Sequence, residues 1–306
     1  MNRRIWLASG CCASLAFVGW NVAAQELTPL DVAYAGSMGS MMEGPIKSGV
    51  EQTLQIAMHG RAQGSDALAK LIVGGSIAPD VFIPVTPGPM LTVLQAGKAD
   101  TAAPVARTEM VIAYSPKSKY AQQFAAAAGG TPGAMPWWQV LQQSDVRFGR
   151  TDPATDPQGR NIIFTLQLAE TYYQQPGLAQ KILGAAVNPT QIFSEPSVEA
   201  RLQSGELDAA SAYKIQPGPF DLPYIALPPQ INLGNDALRE QYQKTSLELS
   251  GKTFHPEPLV YYAAVLKAST HPDKAATFVT WLTGPGQAIF QHYFYDAPTG
   301  VSPLHA

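Results

Sequence analysis

Apolar and polar positions along the chain follow two different periods, and the switches between them place most of the elements. A strand pattern over residues 28–36 stops at Gly36 and passes directly into a helical pattern from Met38 to about Gly49, loosened by Gly44-Pro45. Residues 53–57 read as a second strand, 60–64 as a loop, and Ser65 to Ile72 as a helix. Asp80–Val85 reads as a third strand backed by a helix over 87–97, and Arg107–Ser115 as a long apolar strand that leaves this first unit. Helical stretches follow within 119–144, around an Ala/Gly-rich loop at 125–134, and then a short strand over 146–149. A strong helix at 161–173, another from Ser194 to about Gly205 and a strand at Asp208–Tyr213 come next. The Pro-rich segment 217–229 reads as a return connection. Strand Leu259–Leu266, helix Asp273–Leu282, a Gly284-Pro285-Gly286 break and a helix from Gln287 to about Tyr293 complete the pattern. Strands alternating with helices in this way predict an α/β fold, and no internal repeat of fixed period is present.

Three of the strand-to-helix junctions share a chemistry. A helix start leaves its first N–H groups without partners, at the positive end of the helix dipole. Ser37 sits at the first such junction and Ser65 at the second. The third, Arg150-Thr-Asp-Pro-Ala-Thr-Asp-Pro-Gln-Gly-Arg160, has Asp156 placed to cap a long helix and Pro157 in its first turn. In an open α/β sheet such junctions gather beyond the carboxyl ends of the strands, where ligands sit. Hydroxyls and free amides converging there form a receptor for an anion. The plainer reading of each residue is a cap that serves only its own helix.

Composition narrows the possibilities. Arg3 and Arg4, an apolar run from Ile5 to about Trp20 and the small residues Val22-Ala23-Ala24 predict an export signal over 1–24, cleaved to leave 282 residues. That length suits two lobes, each with a core. Cys11 and Cys12 are the only cysteines and both fall in the signal, so the mature chain is expected to have no disulfide, thiol nucleophile or cysteine metal site. Losing two arginines takes the formal charge from −3 to −5, which does not suit a nucleic-acid partner. Neutral dipoles must then hold any anion. The five histidines are scattered without metal-ligand spacing, and no free metal ion is expected. A secreted serine-dependent hydrolase is the competing class, but Gly36-Ser37-Met38-Gly39 is not the Gly-x-Ser-x-Gly elbow, and nothing brings Glu109 and Glu170 together as an acid/base pair.

Several stretches resemble one family: Ala35-Gly36-Ser37, Gly64-Ser65, Ala78-Pro79-Asp80-Val-Phe-Ile83, Asp145 through Gly159 with Leu168-Ala-Glu-Thr-Tyr-Tyr173, Gly205 through Tyr213, and Gly284-Pro285-Gly286-Gln287. The mature chain is similar to the periplasmic molybdate/tungstate-binding proteins of ABC importers, within the type II solute-binding fold. The resemblance implies two lobes, each a mixed sheet flanked by helices, with the ligand in the cleft between them. Lobe I would comprise 25–107 and 225–306, and lobe II 108–224. It implies a bound molybdate or tungstate with no cofactor, an inner-membrane ABC permease as partner, and a monomer in the periplasm. The donors carried over are the hydroxyls of Ser37, Ser65 and Tyr213, the amides at Gln158 and its neighbours, and an amide near Glu195. Asp156 is open to three readings. In the archaeal-type branch the matching Asp joins the coordination shell of molybdenum or tungsten together with a Glu, but Ala212 stands where that Glu would be. Asp156 is then a direct ligand, a cap turned away, or a carboxyl that meets the anion protonated. Pro84-Val85-Thr86 also departs from the Ser-Ala-Asp of many relatives, at the rim of the pocket. Sulfate, phosphate or a small organic acid in the same ring of donors is the alternative ligand, and transport and sensing both stay open.

Overall fold

The computed structural model describes residues 27–306, so the export signal expected at 1–24 lies outside the described residues. The chain opens with β1 (Thr28–Ala35), a 3-10 turn (Gly36–Met38), single turns of α-helix (Gly39–Met41) and π-helix (Met42–Ile46), and α1 (Lys47–Leu54). The wide turn falls on Gly44-Pro45, because proline has no N–H to give and its ring pushes the preceding carbonyl aside. Next come β2 (Ile56–Gln63), α2 (Ser65–Val73), β3 (Val81–Ile83), α3 (Pro87–Gln95) and β4 (Thr101–Arg107). A second group follows: β5 (Met110–Tyr114), α4 (Ala121–Ala128), α5 (Trp137–Val140), β6 (Phe148–Gly149), α6 (Pro157–Tyr172), α7 (Leu178–Leu183), α8 (Glu195–Ser204), β7 (Ala209–Tyr213) and β8 (Tyr224–Ala226). The chain ends with α9 (Arg239–Tyr242), the hairpin β9 (Leu247–Leu249) and β10 (Lys252–Phe254), then β11 (Val260–Val265), α10 (Pro272–Thr283), α11 (Gln287–His292) and β12 (Leu304–His305).

Two main sheets result. The first has the order β12-β4-β11-β3-β1-β2, with β1 parallel to β2 and β3 and with β11 running against β3 and β4. The second has the order β6-β7-β5-β8, with β5 antiparallel to both neighbours. Each is covered on both faces, and the period-2 pattern says by what. From β1, Leu30, Val32 and Tyr34 pack with Ile46 and Val50, while Ala33 faces Leu68 and Ile72 of α2. From β5, Met110, Ile112 and Tyr114 pack with Phe124 of α4 and Ile162 of α6, while Val111 and Ala113 face Val198 and Leu202 of α8.

The chain passes between the sheets at Thr108-Glu109 and comes back over 227–259. The two passages run side by side: Thr108 N–H donates to Leu259 O (3.0 Å), Leu259 N–H to Leu233 O (2.9 Å) and Met110 N–H to Asn232 O (2.7 Å). The strand expected at 107–115 is therefore shorter, β5 at Met110–Tyr114, while Arg107 ends β4 in the other sheet. The expected strand at 53–57 and loop at 60–64 are also displaced. Helix α1 runs to Leu54, Gln55 closes it in the left-handed region (φ +59°), and β2 continues to Gln63. As the edge strand β2 leaves all of 59–63 exposed, so no apolar alternation marks it, and register with β1 from Thr28–Ile56 to Ala35–Gln63 holds it. Ala125 to Ala128 finish helix α4 rather than opening a loop, as a run of the best helix former does.

Candidate anion-binding site

Ser37, Ser65, Asp156, Gln158, Glu195 and Tyr213 all line one cavity of about 410 Å³. The serines come from elements of the first sheet, after β1 and at the start of α2. The other four come from the second, at the starts of α6 and α8 and the end of β7. Among the described residues no lysine or arginine lines the cavity.

Neither serine serves as a helix cap. No side-chain capping bond is made at the 3-10 turn that contains Ser37, and the cap of α2 is Gly64, with no side-chain bond of its own. Each hydroxyl is instead engaged from behind. Val85 N–H donates to Ser65 Oγ (3.2 Å), and Ser37 Oγ lies 3.0 Å from the hydroxyl of Tyr261 on β11. Tyr213 follows the same scheme, its oxygen accepting from Asn161 Nδ2 (3.1 Å). A hydroxyl has one proton and two lone pairs, so one that accepts from behind keeps its proton for what lies in front. Burial pushes the phenols of Tyr213 and Tyr261 well above their ordinary range, so both stay hydroxyls at any physiological pH.

The start of α6 is built differently. Asp156 caps it, accepting from Gln158 N–H (2.9 Å), so that amide is already engaged within the loop. Burial raises the Asp156 carboxyl, against the pull of the Gln158 amide and the Arg160 charge. Gln216 then ties three residues of the cavity together. Its Oε1 accepts from Gln158 Nε2 and from Tyr213 N–H (2.6 Å), and its Nε2 donates to Glu195 Oε1. The side chain of Ser194 makes no capping bond at α8, and Glu195 is that helix's first residue. Burial, then the charges of Asp156 and Glu199, push the Glu195 carboxyl up to about 8.

Val85, in the Pro84-Val85-Thr86 stretch expected at the rim, meets the site through its backbone N–H, a role that any residue except proline can fill. Arg160 reaches across from α6 to Asp66 on α2 (2.7 Å), and its guanidinium stacks on the Phe254 ring at 4.6 Å. Just before the cavity-lining Thr151 lies Arg150, fully buried and paired with no carboxylate among the described residues. Its guanidinium bonds Gln191 Oε1 and Ala185 O instead. Burial lowers it to about 10, which leaves it charged. Asn161, Tyr261, Gln216 and Arg150 were not singled out by the sequence. Asn161 had one signal, a polar residue on the buried face of a helix. Glu109 and Glu170 do not meet: Glu109 lies beside Asn232 and Lys214, while Glu170 accepts from Ala179 N–H. Among the described residues no group of three His, Cys, Asp or Glu side chains could hold a metal ion.

A family model described as bacterial extracellular solute-binding protein matches residues 30–296. The molybdate/tungstate-binding protein WtpA of Pyrococcus abyssi is 29% identical, over 95% of this chain and 90% of its own. Among solved structures, the periplasmic molybdate-binding protein of Azotobacter vinelandii aligns with a TM-score of 0.59 at 19% identity, covering 88% of this chain and all of that one (100%). The sulfate-binding protein SubI of Mycobacterium tuberculosis aligns with a TM-score of 0.61 at 12% identity, over 89% of this chain and 88% of its own. At those identities the two structures establish the shared fold, that of type II periplasmic binding proteins.

Proposed function

The chain belongs to the bacterial extracellular solute-binding proteins, a family of binding proteins and not of enzymes, and we propose that within it this protein captures molybdate or tungstate for an ABC importer. One observation carries the reading. Three hydroxyls from two sheets line one cavity, and each has a partner behind it. With Tyr261 as donor to Ser37, all three present protons inward. Such a lining suits a guest that only accepts, which is what a fully ionised tetrahedral oxyanion is. Buried hydrogen bonds to a charged group are worth about 1.5–3 kcal/mol each, so three would give a substantial affinity without any cation in the cavity. We read Asp156 as the cap that holds the α6 loop in shape.

The relative WtpA is by name a molybdate/tungstate binder, which favours these two ions over the sulfate that the SubI fold also accommodates. The cavity is roomy: about 410 Å³ would hold on the order of ten waters. We propose that the two sheets form lobes that close on the guest about the paired connecting segments at Thr108 and Leu259. Because the anion bridges donors of both lobes, it binds the closed form better and shifts the population toward it. In this account the export signal is removed, the monomer works in the periplasm, and a permease in the inner membrane recognises the closed form.

Isothermal calorimetry with molybdate, tungstate, sulfate and phosphate tests the ligand. Saturable heat with the first two, at a tighter Kd than with sulfate or phosphate, is expected; heat with sulfate or phosphate alone would overturn the choice of ion. Small-angle scattering tests closure. The radius of gyration should fall on adding molybdate, and superimposable profiles with and without it would contradict the hinge.

A further inference from the structure

We propose that Glu195 takes part in capture as a neutral acid, one carboxyl oxygen held by Gln216 and the other carrying a proton toward the anion, so that binding weakens as the solution turns alkaline. The inference rests on the cavity being an anion site.

The geometry repeats what the three hydroxyls do. Gln216 Nε2 donates to Glu195 Oε1, so that oxygen is taken from behind. Oε2 points to the opposite wall, 3.7 Å from where a Cβ on Gly36 would sit, beside Ser37. An ionised carboxylate there would face a doubly charged guest with nothing to offset it, whereas the acid form adds an O–H donor to the ring. The groups around it are acidic or neutral. Asp156 and Asp152 line the cavity with it, Glu199 follows one turn along α8, and the phenols of Tyr213, Tyr261 and Tyr295 stay protonated. Asp156 accepts the Gln158 amide and feels the charge of Arg160, both of which favour its ionised form. Glu195 has no comparable cationic support, and burial with the charges of Asp156 and Glu199 pushes it up to about 8. Of the two carboxyls it is the one that keeps the proton. A bound dianion raises it further, so above that pH capture takes up one proton from solvent, which stays on Oε2 and bonds to an anion oxygen.

Calorimetry with sodium molybdate between pH 6 and 9.5, in buffers of different ionisation heat, reads both affinity and proton count; molybdate itself keeps its two charges throughout. The wild-type Kd should be flat below pH 8 and then rise by nearly tenfold per pH unit, about thirtyfold in all by pH 9.5, with close to one proton taken up there. In Glu195→Gln, whose amide donates without titrating, the rise and the proton uptake should both vanish. A wild-type affinity that stays flat to pH 9.5, or a variant that keeps the full wild-type slope, would overturn the proposal and leave the anion site standing. Should the variant not fold, the wild-type proton count decides by itself. Absence of heat with molybdate, tungstate and sulfate at every pH would instead remove the anion site, and this inference with it.

Discussion

Alanine in place of Gly159 is expected to lower both the stability of the protein and its affinity for molybdate. Gly159 lies in the first turn of α6 and needs no unusual backbone angle; what it needs is space. A Cβ there would stand 2.4 Å from Thr151 O and 2.7 Å from Asp152 C and Pro153 N. Those are backbone atoms, which cannot turn aside as a flexible side chain would. The helix and the 151–153 segment would have to part, straining the bond from Arg160 Nη1 to Pro153 O (3.1 Å) and the Asp156 cap. Overpacking against backbone places the cost near the upper end of the usual range, roughly 2–3 kcal/mol. For a chain of this size that corresponds to a melting midpoint lower by about 5–10 °C. Affinity should fall at least tenfold, because the same segment sets one wall of the cavity. Gly36→Ala makes the contrast: its Cβ would meet nothing closer than Glu195 Oε2, so the fold should tolerate it. A Gly159→Ala protein that melts with the wild type would show that the α6 start does not depend on this close approach.

Ser65→Ala should lose on two counts, and Ser37→Ala on one. Ser65 is 1% exposed, and its oxygen is the acceptor for the Val85 N–H. Removing it strands that buried amide, at a cost of about 1–3 kcal/mol in stability. It also deletes a donor to the guest, worth about 1.5–3 kcal/mol, or roughly a ten- to hundredfold weaker Kd. Ser37 is paired with a hydroxyl, Tyr261, which can rotate toward the cavity when the serine is gone. Its alanine variant should keep its melting temperature and lose affinity alone. Thermal melts and calorimetry on the two variants separate these signatures. Unchanged affinity in both would mean that neither hydroxyl touches the guest.

Much of this was legible in the sequence because local rules and the fold agree at those positions. Asp156 and Pro157 start α6 as capping preferences dictate, and β1, β5 and β7 carry the apolar patterns of strands covered on both faces. The serines were legible as junction residues, although their locally plausible role was capping, and only the backbone of Val85 and the ring of Tyr261 reveal what they do instead. Those partners lie 20 and 224 positions away, and Asn161 lies 52 from Tyr213, so no local pattern could announce them. The edge strand β2 was misplaced because its polar residues face solvent, and the hairpin β9–β10 was missed for the same reason. Gln216 was hidden because two of its three side-chain partners, Gln158 and Glu195, lie 58 and 21 positions away, and only the Tyr213 amide is local.

The central claim is that donors from two sheets meet on one small anion, and a crystal structure grown with sodium tungstate tests it most directly, because tungsten can be located by its anomalous scattering. The account predicts a single strong peak in the cavity, with oxygens within hydrogen-bonding distance of Ser37 Oγ, Ser65 Oγ and the Tyr213 hydroxyl together. A peak elsewhere on the protein, or one in the cavity that touches residues of only one sheet, would contradict it.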